Sequence, residues 1–241
     1  MEKFQFGYPN LDKHLQFKPN SLIVIGSRLC MGNTSFAINV LLRNTSKKGC
    51  YLNLKIPKNK FHEKLAVISK GYAIANKMKP LIDIPIQKNE NFEVVSLLMP
   101  TILELLELLG QKKEADYFII DELKNVDYKT KLLFSNDKNY ESILRFLNVF
   151  CEASNKTIVL LATTHHKVEN SKKHEFNFRY YARYEKYANH IFCLHRPNFY
   201  MYDFPIEEGN EEVFIYLAKT TLSLYEEKFS LDYDSKHQLF L

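Results

Sequence analysis

The sequence predicts an α/β protein: a mostly parallel central sheet flanked by helices on both faces. Three observations point there. Short unbroken apolar runs recur along the chain, at residues 22–25 (LIVI), 117–120 (YFII), 157–162 (TIVLLA) and 191–194 (IFCL). A strand covered on both faces reads as such a run rather than as an alternation. The segments between the runs carry apolar residues at helical spacing, giving the alternating order of a parallel sheet. Finally, 241 residues suffice for one domain with a sizeable core, and no compositional break divides them.

Each element follows in order. Residues 4–15 (FQFGYPNLDKHL) form an opening segment, with Gly7 and Pro9 marking a turn before a short helix carrying Leu11 and Leu15. Residues 18–21 make a second turn into the first strand. A helix is expected over 34–44, burying Phe36, Ile38, Val40, Leu41 and Leu42, and Lys47-Lys48-Gly49 ends it. Residues 50–56 (CYLNLKI) alternate and predict a strand. The period turns helical over 58–79 through Phe61, Leu65, Ile68, Tyr72 and Ile74, and 82–86 is a short extended piece. Residues 92–109 read as one long apolar helix ended by Gly110. The strand at 117–120 closes on Asp121, and 124–139 is polar and contains a loop. A helix over 140–154 buries Ile143, Leu144, Leu147 and Phe150. After the strand at 157–162, residues 165–177 are polar, basic and aperiodic. A short helix at 180–187 and a strand at 191–194 follow. Residues 212–218 and 229–233 are late strands of a meander or hairpin.

Composition bounds the function classes. The net charge of +5 permits an acidic partner such as nucleic acid without demanding one. Cys30, Cys50, Cys151 and Cys193 are scattered, with no CxxC pair. No apolar run nears the roughly 18 residues of a membrane span, and no basic-then-apolar leader opens the chain. A reduced cytoplasmic protein with no membrane partner is the expectation.

The stretch SLIVIGSRLCMGNTSFA, residues 21–37, has the layout of a phosphate-binding loop: buried strand, turn, helix N-terminus. Such loops end Gly-Lys-Ser/Thr, because the lysine ammonium reaches the β- and γ-phosphates. Here that position is Asn33. The candidate nucleotide-binding residues are Ser27, Arg28, Gly32, Asn33, Thr34, Ser35 and Asp121. Thr34 and Asp121 stand where a hydroxyl and a carboxylate would hold Mg²⁺ if nucleotide binds. An ordinary strand-to-helix turn and an Asp capping the next element are the bland alternatives. The fourth strand runs into Thr163-Thr164-His165-His166, where a polar residue can sense the γ-phosphate. Adjacent strand residues point to opposite faces, so the two histidines are a poor chelate and no structural metal is expected.

Residues 167–186 interleave Lys172, Lys173, Arg179, Arg183 and Lys186 with Phe176, Phe178, Tyr180, Tyr181 and Tyr184. Cations mixed with aromatics suit single-stranded DNA, through phosphate contacts and base stacking. A solvated loop followed by a helix packing its tyrosines into the core fits equally well.

These blocks resemble the C-terminal, RecA-like motor domain of DnaB-type replicative DNA helicases. Gly7-Tyr8-Pro9-Asn10-Leu11-Asp12 resembles the family's GF-x-x-LD, and residues 21–40 its Walker A block. FIID ending at Asp121 resembles its Walker B strand. Residues 157–169 and 178–196 resemble its later blocks, and Leu217-Ala218-Lys219 falls at its K-x-R-N-G. The likeness runs in order over nearly the whole chain as a single domain, and the family's separate N-terminal domain is not expected. The resemblance implies a RecA-like P-loop NTPase fold, Mg-ATP as cofactor, single-stranded DNA as ligand, and self-association or contact with replicative helicase and other replication proteins.

Departures from the family concentrate around one phosphate. Asn33 replaces the Walker lysine. Lys55, in Asn53-Leu54-Lys55-Ile56-Pro57, takes the catalytic glutamate's position, and His165 takes the sensing Gln. Lys219-Thr220-Thr221 keeps the trans-acting lysine and loses the arginine, a group typically worth ~10³–10⁵ in rate. Tyr180 stands at the glutamate of a further block. No position is assigned a catalytic role. Lys55, one strand over, could bring back a phosphate-binding cation without restoring a base. Three readings remain open on the sequence: a degenerate module with weak or no ATP hydrolysis, an active helicase motor rebuilt around Lys55 and a glutamate such as Glu122, and an interaction protein that binds no nucleotide.

Overall fold

In the computed structural model, the described residues are 4–14, 20–77, 90–126, 136–163, 181–200, 210–219 and 224–241. Strands β1 (Leu22–Ser27), β2 (Gly49–Asn53), β3 (Phe92–Ser96), β4 (Tyr117–Asp121), β5 (Thr157–Thr163), β6 (His190–His195), β7 (Asn210–Lys219), β8 (Leu224–Asp234) and β9 (Leu239–Phe240) join one sheet. Helices α1 (Pro9–His14), α2 (Asn33–Arg43), α3 (Lys58–Ala75), α4 (Ile102–Gln111), α5 (Asn136–Ser154) and α6 (Ala182–Glu185) complete the described elements. Strand order is β3-β2-β4-β5-β1-β6-β7-β8-β9. The pairs from β3 to β6 are parallel, and β7, β8 and β9 extend the sheet antiparallel.

The apolar runs behave as two-sided strands. In β1, Ile23 and Ile25 enter one core with α2 and α3, while Leu22 and Val24 enter the other with α4 and α5. The same alternation divides Tyr117 and Ile119 from Phe118 and Ile120 in β4. Period-two geometry explains why no polar residue interrupts these runs: both faces are covered.

Two expectations are corrected. Residues 92–109 are not one helix: β3 covers Phe92–Ser96, and α4 begins only after Thr101. Thr101 caps α4, its Oγ1 accepting from Glu104 N at 3.3 Å while Glu104 Oε2 accepts from Thr101 N at 2.7 Å. Val94 and Val95 favour the pleated strand, and the reciprocal cap sets the helix start. The second correction is at residues 50–56, where β2 stops at Asn53. The buried Asn53 amide donates to Ile56 O at 2.7 Å and its Oδ1 accepts from Ile56 N at 3.2 Å. That side-chain turn bends the chain and puts Lys55 beyond the sheet edge. The expected piece at 82–86 and the stretch 165–177 lie outside the described residues.

Candidate functional site

The site lies at the carboxyl ends of the parallel strands, where open α/β sheets place ligands. Gly32 enters α2 with φ 99°, and a Cβ there would stand 3.3 Å from the Phe240 ring. Glycine is needed on both counts. β1 and β5 run level to Ser27 and Thr163, so the loop rises from a flat rim.

Asn33 does not act as a shortened lysine. Its side-chain amide donates beneath the loop to Ile25 O at 3.4 Å and Ala162 O at 3.3 Å, tying α2 to β1 and β5. Asn33 is 5% exposed, and its Oδ1 is buried without a hydrogen-bond partner.

Thr34 and Asp121 meet as their spacing predicts. Thr34 Oγ1 donates to Asp121 Oδ2 at 2.7 Å, and Tyr51 OH donates to the same oxygen at 2.8 Å. Burial pushes the Asp121 carboxyl above the usual carboxylate range, against the lowering influence of Lys55 and the two hydroxyls. Burial and Asp121 together push the Tyr51 phenol well up. Asp121 Oδ1 is buried with no hydrogen-bond partner. An orphaned carboxylate oxygen beside a threonine hydroxyl fits a hard divalent ion such as Mg²⁺. Asn33, being neutral and turned away, does not fit the cation's role toward phosphate.

Glu122 is equally buried but meets charge. Its carboxylate accepts from Thr163 N at 2.7 Å and Thr163 Oγ1 at 2.9 Å. Lys55 Nζ lies 3.5 Å from it and Lys124 Nζ 3.3 Å. Lys55 therefore faces the site with its charge balanced by the neighbour of Asp121.

Above the loop is a cavity of about 390 Å³. Ser27, Arg28, Gly32, Asn33, Thr34, Ser35 and Lys55 all line it, as the sequence suggests for a nucleotide site. Lys64, Arg196, Tyr233 and Gln238 line it too, and sequence reading missed them. Lys64 comes from α3 and Gln238 from the turn before β9. Arg196 follows β6, pairs with Glu211, and lies 4.4 Å from the Tyr233 ring. No motif spacing links them, so no local signal could have found them. Among the described residues, the cavity wall carries four cationic side chains and no carboxylate.

The remaining candidates fall elsewhere. Lys219 Nζ donates to Ala188 O at 2.7 Å and to Glu185 O, binding β7 to the turn after α6. Arg183 is exposed, its guanidinium 5.5 Å from the Tyr140 ring, while Tyr181 and Tyr184 are core residues. The described part of the basic-aromatic stretch thus packs its tyrosines inward. His165, Lys172, Lys173, Arg179, Tyr180, Thr220 and Thr221 lie outside the described residues.

No protein-family model matches this sequence, and no curated protein matches it either. Solved structures do. The ATPase domain of one DnaB-like replicative helicase superposes with a TM-score of 0.79 at 17% identity, covering 100% of this chain and 91% of that chain. A second DnaB-like replicative helicase, described with its interactions with primase, gives 0.78 at 17%, covering 100% of this chain and 62% of that chain. The chain therefore has the RecA-like fold of DnaB-type helicase ATPase domains, and it spans less than two thirds of the second protein.

Proposed function

We propose that this chain is a DnaB-helicase-like phosphate-loop protein of DNA replication whose ATP hydrolysis is weak or lost. It serves as a nucleotide- or DNA-binding module associating with itself, with a replicative helicase or with other replication proteins. One observation carries this reading: the cavity over the loop is walled by Arg28, Lys55, Lys64 and Arg196, with no carboxylate on it among the described residues. Cations around a helix N-terminus favour a phosphate chain. Hydrolysis also needs a group that orients or deprotonates the attacking water. Glu122, the nearest alternative, is held by Thr163, Lys55 and Lys124 behind the wall. If Mg-ATP is the ligand, Thr34 and Asp121 would hold the ion, which would neutralise phosphate charge there. The replicative setting rests on the neighbours, one of which interacts with primase.

Calorimetric titration with Mg-ATP, followed by phosphate release with and without single-stranded DNA, tests this. Binding without DNA-stimulated turnover is expected. Steady DNA-stimulated turnover would establish a working motor instead, and no binding at millimolar ATP would leave only an interaction module.

A further inference from the structure

The phosphate loop has lost its lysine, yet the cavity has four other cations to draw on. We infer that Lys64, on α3, supplies the phosphate-binding cation that Asn33 no longer provides, with the polyphosphate end of a nucleotide as ligand. This deepens the nucleotide-binding reading and rests on it.

The four cations differ in what already holds them. Lys55 is paired with Glu122 at 3.5 Å. Arg196 is paired with Glu211 and flanked by the rings of Tyr233 at 4.4 Å and Phe199 at 4.7 Å. Arg28 lies at the loop itself, half-buried. Lys64 makes no ion pair among the described residues, and its ammonium donates to a neutral acceptor, Gln238 Oε1. The same oxygen accepts from Ser35 Oγ at 3.1 Å, and Asn39 Nδ2 donates to Gln238 O at 3.1 Å. Gln238 thereby tethers the Lys64 ammonium to the first turns of α2, the helix whose N-terminus would receive the phosphates.

Burial lowers the Lys64 pKa, and Lys55 and Arg196 lower it further against a raising influence from Asp121. An ammonium in that position is under-compensated, and a phosphate oxygen replacing the amide oxygen would supply the missing charge. The alternative, a lysine merely stapling α3 to the β8–β9 turn, predicts no ligand effect beyond lost stability.

The test is calorimetry with inorganic tripolyphosphate, in Mg²⁺ and in EDTA, on the full chain and on Lys64→Gln, Lys64→Arg and Lys48→Gln. Lys48, before β2 and near Glu114, controls for net charge. Tripolyphosphate should bind the parent protein, with Lys64→Gln weakening it at least about tenfold. Lys64→Arg should keep affinity within about threefold, and Lys48→Gln should match the parent. Melting temperatures recorded alongside separate misfolding from lost binding. Binding indifferent to Lys64→Gln, or reduced equally by Lys48→Gln, overturns the role of Lys64 and leaves the nucleotide reading intact. No tripolyphosphate binding with or without Mg²⁺ overturns both.

Discussion

Asp121 and Glu122 are consecutive, both almost fully buried, and treated oppositely by the fold. Asp121 ends β4, faces α2, and meets only neutral donors, Thr34 and Tyr51. Glu122 turns to the other side, where a backbone amide, a hydroxyl and two lysines surround it. One carboxyl is left short of positive charge and pushed up by burial; the other is balanced. The lesson is that the acidic pair was divided between two jobs. Asp121 keeps the position of a metal-associated carboxylate, and Glu122 holds the strand ends together with the lysine that stands where the family has a base.

The largest break in this contrast should come from Glu122→Ala. Removing one member of a buried charged network strands Lys55 and the Thr163 amide, costing about 3–5 kcal/mol. Urea unfolding measures it, and a loss below about 1 kcal/mol would mean that the pair of lysines does not organise the strand ends. Tyr51→Phe comes next. It removes a donor to a buried carboxyl and should cost about 1–3 kcal/mol. It should also raise the Asp121 pKa further, which carbon-detected NMR titration can follow.

Asp121→Asn should move stability the other way at neutral pH. The folded Asp121 pKa lies above its ordinary 3.8, so its contribution is fully present below 3.8 and lost as pH rises through the folded value. The Asn variant should match the parent below pH 3.8 and exceed it above the raised pKa. For a chain of this length each kcal/mol of gain raises the melting temperature by about 2–4 °C. A variant less stable than the parent at pH 7 would show that Asp121 is compensated as Glu122 is. The smallest effect belongs to Lys124→Met. Lys124 is largely exposed, its link to Glu122 is screened, and the loss should be about 1 kcal/mol or less by the same unfolding measurement.

Much of the site was legible because it is local. A strand, Gly32 and a hydroxyl at Thr34 occupy one short stretch, and Asp121 ends an unmistakable apolar run. The parallel sheet was legible for the same reason, since two-sided burial leaves no polar residue in the strands. What misled was a run whose period does not discriminate. Residues 92–109 are apolar throughout, and the break between β3 and α4 is carried by Val94, Val95 and the reciprocal cap from Thr101 to Glu104. Those signals lie in the sequence but are weaker than the overall hydrophobicity. At 50–56 the alternation continued past the true strand end, because the turn depends on hydrogen bonds made by one buried asparagine.

The sequence by itself determined the α/β class, the phosphate-loop architecture, and the loss of lysine at position 33. Each follows from residues that neighbour one another in the chain or repeat at a fixed period. Only the tertiary structure decided what replaced that lysine's surroundings. The order of the sheet brings α3, the end of β6 and the turn before β9 over the loop, so Lys64, Arg196 and Gln238 arrive from three distant segments. It also decided that Asn33 looks down into the sheet and that Lys55 faces Glu122. Such choices depend on which groups are left unpaired after the strands have packed, and no spacing along the chain encodes them.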